Sequence, residues 1–317
     1  GGRIYVEGGD SWTASTPTPY GATLQRQAVY LQDKYSDVLL LQQDVEKFRG
    51  SKVPQSQDFE MAMDIFYGIV RKDLEDIEAL LGRINDRRSQ FGIRSNDLSD
   101  FLYARHAAER NKFIAERSPG NESGSGMTNE RAEELLEELD SAEMRILADL
   151  VYDVVAYTRK FMVEGGLETR AVVEEWEKRF KYYVPLNGQA VDESDEATSH
   201  YPTGGAGMAI YGPSVRKAKG RESETGANVL GNAIMQATAV AQRARKDQAM
   251  LSLYRLIKTN PNNSVWSVHG PKNRIVSMGV KLNDQQAKAR EDVVPLRING
   301  VQHFIKFKDA SHAQALN

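Results

Sequence analysis

Apolar residues recur every three or four positions through most of the first 183 residues, a spacing that puts them on one face of an α-helix. Leu24, Ala28, Leu31, Tyr35 and Val38 form a first stripe, and Val45 and Phe48 continue it on a neighbouring face. Gly50-Ser51 and Pro54 break the pattern, because glycine leaves the backbone unrestricted and proline lacks an N–H donor. Phe59, Met63, Phe66, Val70, Ile77, Leu81 and Ile84 form a second stripe, so the two helices are predicted to fold back as an antiparallel hairpin. A third helix, capped at Asn96, runs through FLYARHAAERNKFIAER and stops at Ser118-Pro119-Gly120, with the polar NESGSG run as a loop. Thr128 is placed to cap a further helix, with Glu130, Glu133 and Glu134 where the helix dipole favours negative charge. Its stripe extends from Leu135 to Met162 and ends at Gly165-Gly166. Val172, Val173, Trp176 and Phe180 then mark a short helix.

That helix leads into FKYYVPLNG, residues 180–188. Proline disfavours helical geometry in the residue before it, so Val184-Pro185 predicts a stop near Tyr183. Trp176, Phe180, Tyr183, Pro185 and Leu186 are read as a packed structural corner, with Tyr182 beside it. Residues 184–227 form a glycine-rich, basic linker. The segment 228–317 holds a helix over Asn228–Thr259, broken by Asn260-Pro261-Asn262, and then VVPLRINGVQHFIKFKD. Asn299-Gly300 between two alternating runs is a β-hairpin signal, since both residues tolerate positive φ. Residues 1–20, rich in Gly, Ser, Thr and Pro, read as an extended arm. Its Ile4, Tyr5, Val6, Trp12 and Tyr20 suit an assembly element laid across a neighbouring surface. The predicted fold is mainly α: an elongated helical bundle over 21–183, an extended N-terminal arm and a small C-terminal β-hairpin.

Charge adds an asymmetry to this picture. The 317 residues carry a net charge of −3, but residues 127–182 hold 14 acidic and 8 basic side chains while 210–260 hold 9 basic and 3 acidic. Such halves attract each other, or the basic one touches phosphate. The basic segment contains Arg216, Lys217, Lys219 and Arg221, which could follow a nucleic-acid backbone or meet the acidic helix. No apolar run reaches the ~20 residues of a membrane-spanning helix. The chain has no cysteine, which excludes disulfides and thiolate-metal sites. Its start at Gly1-Gly2-Arg3 is expected of a processed product or a portion of a longer polypeptide.

Candidate chemistry is sparse. His106, His200, His269, His303 and His312 show no zinc-binding spacing, so no metal or cofactor is expected. His106 and Glu109 lie three apart on a predicted helix, the spacing of a solvated polar pair or of an acid–base pair. The glycines of 203–207 lack the Lys-Ser/Thr of a phosphate loop, and Ser125 lacks the strand of a nucleophile elbow. The carboxylates of 130–143 read as a solvated helix face.

The runs YARHAAERN (103–111), SGSGMT (123–128) and VEGGLETRAVVEEWEKRFKYYVPLNG (163–188) resemble the large polyvalent proteins of tailed bacteriophages and mobile elements. The helix ANVLGNAIMQATAVAQRARKD (227–247) and the hairpin PLRINGVQHFIKFKD (295–309) extend the resemblance to about two thirds of the chain. A related segment in that family ends in a Pro-Leu-x-Arg-Gly turn. Here Asn187 and Gly188 follow Pro185-Leu186, so the role of that arginine does not carry over. The resemblance implies a non-catalytic internal virion, or ejection, protein, held in the capsid interior or portal region and delivered with the genome toward the host cell envelope. It implies other virion proteins and further copies of itself as partners, while the charges of the basic segment add genomic DNA as a partner. Two alternatives are a non-catalytic DNA-binding module and a scaffold segment of a larger phage enzyme, a polymerase or murein hydrolase.

Overall fold

The computed structural model describes residues 35–120, 123–186, 207–212 and 228–317. The arm at 1–20, the first stripe before Tyr35 and the basic segment at 216–221 lie outside these residues. The described chain is mainly α-helical with a small antiparallel strand region near its C-terminus. Helices α1 (Ser36–Arg49), α2 (Phe59–Phe91), α3 (Ser95–Ala115), α4 (Asn129–Leu139), α5 (Ala142–Glu164) and α6 (Arg170–Arg179) precede α7 (Val229–Thr259). Strands β1 (Trp266–His269), β2 (Val276–Ser277) and β3 (Val280–Lys281) follow. Helix α8 (Asp284–Lys288), strands β4 (Val293–Ile298) and β5 (Val301–Phe307), and helix α9 (Ala310–Leu316) complete the order.

Helix boundaries follow their caps. Asp58, Thr128, Ser141, Thr169 and Asn228 each accept a hydrogen bond from a backbone N–H of the first turn, which would otherwise lack a partner. Gly50 and Gly92 end α1 and α2 with φ of +68° and +67°, the left-handed conformation that glycine adopts without a Cβ clash. Two expected boundaries are corrected. The third helix starts at Ser95, with Arg94 rather than Asn96 preceding it. The stripe from Leu135 to Met162 is divided between α4 and α5, because Asp140 is extended and the Ser141 hydroxyl starts a new helix at Met144 N.

Strand order is β1-β5-β4, all antiparallel, with Leu296 opposite His303 and Val268 opposite Ile305. The predicted hairpin is β4–β5, turning at Asn299 (φ +49°) and Gly300 (φ +77°). Neither β1 nor the separate β2–β3 hairpin stood out in the sequence pattern.

Two large apolar clusters form most of the core. One gathers Ile77, Ile84, Leu98, Phe101, Leu147, Val151, Val154 and Ala237. The other gathers Val38, Phe59, Met63, Met250, Leu253, Trp266, Ile305 and Leu316. Helices α2 and α7, about 50 Å and 46 Å long at 1.5 Å per residue, contribute to both. The linker at 184–227 therefore does not separate two cores: α7, beyond it, lies against α2 and α5, before it. Close approach is possible where α7 carries alanine. A Cβ on Gly165 would lie 2.4 Å from Cβ of Ala244.

Candidate functional site

The corner at 180–186 is built from two directions. From α6, the backbone N–H of Phe180 still donates to Trp176 O at 2.8 Å, after which the chain turns out of the helix. From α3, Glu109 reaches the turn and its carboxylate accepts the N–H of Lys181 at 2.9 Å and of Tyr182 at 3.1 Å. The carboxylate thus does for this exit what a capping residue does for a helix entrance, satisfying amides that the turn leaves without partners.

His106, one turn earlier on α3, is 1% exposed. Its ring meets Phe180 and Tyr183 edge-on, with centroids 5.7 Å and 5.4 Å away. Its Nδ1 lies 3.4 Å from Glu109 Oε2. Burial pulls the imidazole below its ordinary pKa, and the hydrogen bond to Glu109 opposes the shift. The pair is therefore a packed joint rather than the solvated pair that its spacing suggested. Val184, Pro185 and Leu186 are buried, with Val184 and Leu186 in the first core, while Trp176, Phe180 and Tyr183 are half-buried around them. Trp176 packs against the edge of the first core.

Cations line the outer side. The Arg105 guanidinium lies 4.0 Å from the Tyr182 ring centre, between Phe101 and Tyr152, and Arg159 lies 5.5 Å from Tyr183. Tyr183 also brings α7 into the joint, because Gln236 Nε2 donates toward its hydroxyl at 3.5 Å.

The neighbouring polar run belongs to the same assembly. Tyr103 Oη donates to Ser125 O at 2.7 Å. Asn111 donates from Nδ2 to Met127 O at 2.9 Å and accepts the Ser125 N–H at 2.8 Å. Ser125 is buried and its hydroxyl donates to Met127 O, so it is a loop staple.

A second polar centre sits between α7 and the β4–β5 turn. Arg297 donates from Nε to Leu167 O at 3.0 Å, from Nη1 to Gly212 O at 3.0 Å and from Nη2 to Glu168 at 3.3 Å. Its own N–H donates to Asp247 Oδ1 at 2.7 Å. Arg243 donates to the carbonyls of Tyr211 and Gly212. Asp247 is fully buried and its Oδ2 accepts no hydrogen bond. Burial pushes its carboxyl up to about 8, against the Arg297 N–H and the two guanidiniums. Burial likewise lowers Arg243 to about 10. Sequence reasoning missed this centre. An Asp and an Arg four apart on α7 suggest only a surface pair, and nothing local shows that β4 brings Arg297 against them.

The remaining histidines are scattered. His269 bonds to Ser267 and Asn273 O, and His303 meets Tyr254. Among the described residues no group of three or more His, Asp or Glu side chains could hold a metal ion, and no helix is long and apolar enough to cross a membrane. Arg216, Lys217, Lys219 and Arg221 lie outside the described residues. Comparison with protein-family models, with curated proteins and with solved structures finds no match to this chain.

Proposed function

We propose that this chain is a structural, internal virion protein of a tailed bacteriophage, a helical scaffold that takes part in delivery of the genome into the host. The observation that carries the reading is the convergence of three segments that are separate in sequence. YARHAAERN, SGSGMT and FKYYVPL meet through Tyr103–Ser125, Asn111–Met127 and Glu109–Lys181 contacts. These are the segments whose sequences resemble the large polyvalent proteins, and in this chain they lie in contact with one another. In this reading His106 and Glu109 hold the unit together, and the partners are other virion proteins and further copies of the chain. Arg216, Lys217, Lys219 and Arg221 would meet packaged DNA. Mass spectrometry of purified virions tests the proposal. Peptides of this chain are expected at several copies per particle, and their absence from particles made by an infected host that expresses the chain would overturn it.

A further inference from the structure

The β2–β3 hairpin carries an apolar tip that is exposed among the described residues. Its turn is Met278-Gly279, with φ of +49° and +78°. Positive φ at both central residues defines the tight hairpin turn in which Asn-Gly or Asp-Gly is usual, because the first position strains an ordinary side chain. Methionine accepts that strain here without packing in return, since Met278 is 102% exposed. Val276 and Val280 beside it are 52% and 62% exposed. They lie on opposite faces, because Val276 pairs across with Lys281 and Ser277 with Val280. The tip is therefore apolar at its end and on both sides.

The base is anchored. Ile275 is buried with Ala287, Val293 and Phe304, Leu282 packs against them, and the Leu282 N–H donates to Ile275 O at 2.9 Å. Around this base stand Lys272, Arg274 and Lys281, all exposed. None of the three is paired with a carboxylate among the described residues, and 271–281 contains no acidic residue.

We propose that this hairpin is a membrane-surface anchor whose Val276-Met278-Val280 tip enters the interface of an anionic bilayer while Lys272, Arg274 and Lys281 contact the lipid headgroups. A partner's flat surface could cover only one face of the tip, leaving the other valine in water. A fluid apolar phase surrounds both faces and the end at once. The collar of cations then selects negative headgroups, within the Debye length of the surface. The hairpin's chemistry is independent of the virion assignment.

The test is co-sedimentation of the full chain with phosphatidylcholine vesicles, with and without phosphatidylglycerol. Binding is expected only with the anionic lipid, weakening as salt rises. Met278→Asn places a residue suited to positive φ, so it is expected to fold at least as stably while vesicle partitioning falls by about tenfold. Met278→Leu keeps the apolar tip and is expected to keep binding. The triple change Lys272→Gln, Arg274→Gln and Lys281→Gln is expected to abolish the preference for phosphatidylglycerol. No binding to anionic vesicles, or equal binding by the wild type and Met278→Asn, would overturn the proposal.

Discussion

At the scale of single residues, two buried titratable groups give opposite pH dependences. His106 is held neutral by burial, so the unfolded chain takes up a proton near the ordinary imidazole pKa while the folded chain does not. Stability from this group is full above that pKa and falls as pH drops below it. Denaturant melts at pH 7 and pH 5 should show the loss, and His106→Gln should reduce the difference. Asp247 has the reverse sign, since its folded pKa is raised to about 8. Its contribution is full below the ordinary carboxylate pKa and is lost as pH rises through about 8. Asp247→Asn keeps an acceptor for the Arg297 N–H, so it should cost little at pH 7 and flatten the decline that runs from the ordinary carboxylate pKa up to about 8. A cost of ~3–5 kcal/mol at pH 7 would instead mean an ionised partner of the two arginines. At the corner, Leu186→Ala should cost ~2–4 kcal/mol because the side chain is buried. Trp176→Ala should cost less than a core tryptophan would, because its ring is at the edge.

Elements are governed by caps and by how closely two helices approach. Gly165→Ala must push a methyl group into Ala244 on α7, and thermal melts should show a loss of ~1–3 kcal/mol. Gly68→Ala, inside α2 with open space around it, should gain ~0.5–1 kcal/mol because alanine loses less backbone freedom on folding. An apolar stripe made α2 legible from sequence, the breakers Ser118-Pro119-Gly120 and Asn260-Pro261-Asn262 marked where α3 and α7 stop, and the Asn-Gly turn marked the β4–β5 hairpin. The break at Asp140-Ser141 was not legible, because the apolar stripe continues across it and only the serine cap marks the new start. Strands β2 and β3 were hidden for another reason. They are two residues long, and their turn carries methionine where the expected signal is asparagine.

For the molecule as a whole, shared helices imply cooperativity. Both α2 and α7 run through the two apolar clusters, and Asp73 and Arg245 link them with Nε–Oδ2 at 2.6 Å. Trp176 packs against one cluster and Trp266 lies in the other, so Trp176→Phe and Trp266→Phe variants, each also carrying Trp12→Phe, allow each to be followed separately. Fluorescence melts of both should give one midpoint, and two midpoints would mean that the clusters unfold independently. The corner residues were readable from sequence as packing side chains, but their partners on α3 were not, because Glu109 and Lys181 are 72 positions apart. The proposed function requires the same assembly to act as a delivered scaffold. The most direct measurement compares intact virions with the emptied particles left after genome release, by quantitative mass spectrometry of this chain against the major capsid protein. The chain should be present in intact virions and strongly depleted from the emptied ones. Equal amounts in both would contradict a role in delivery.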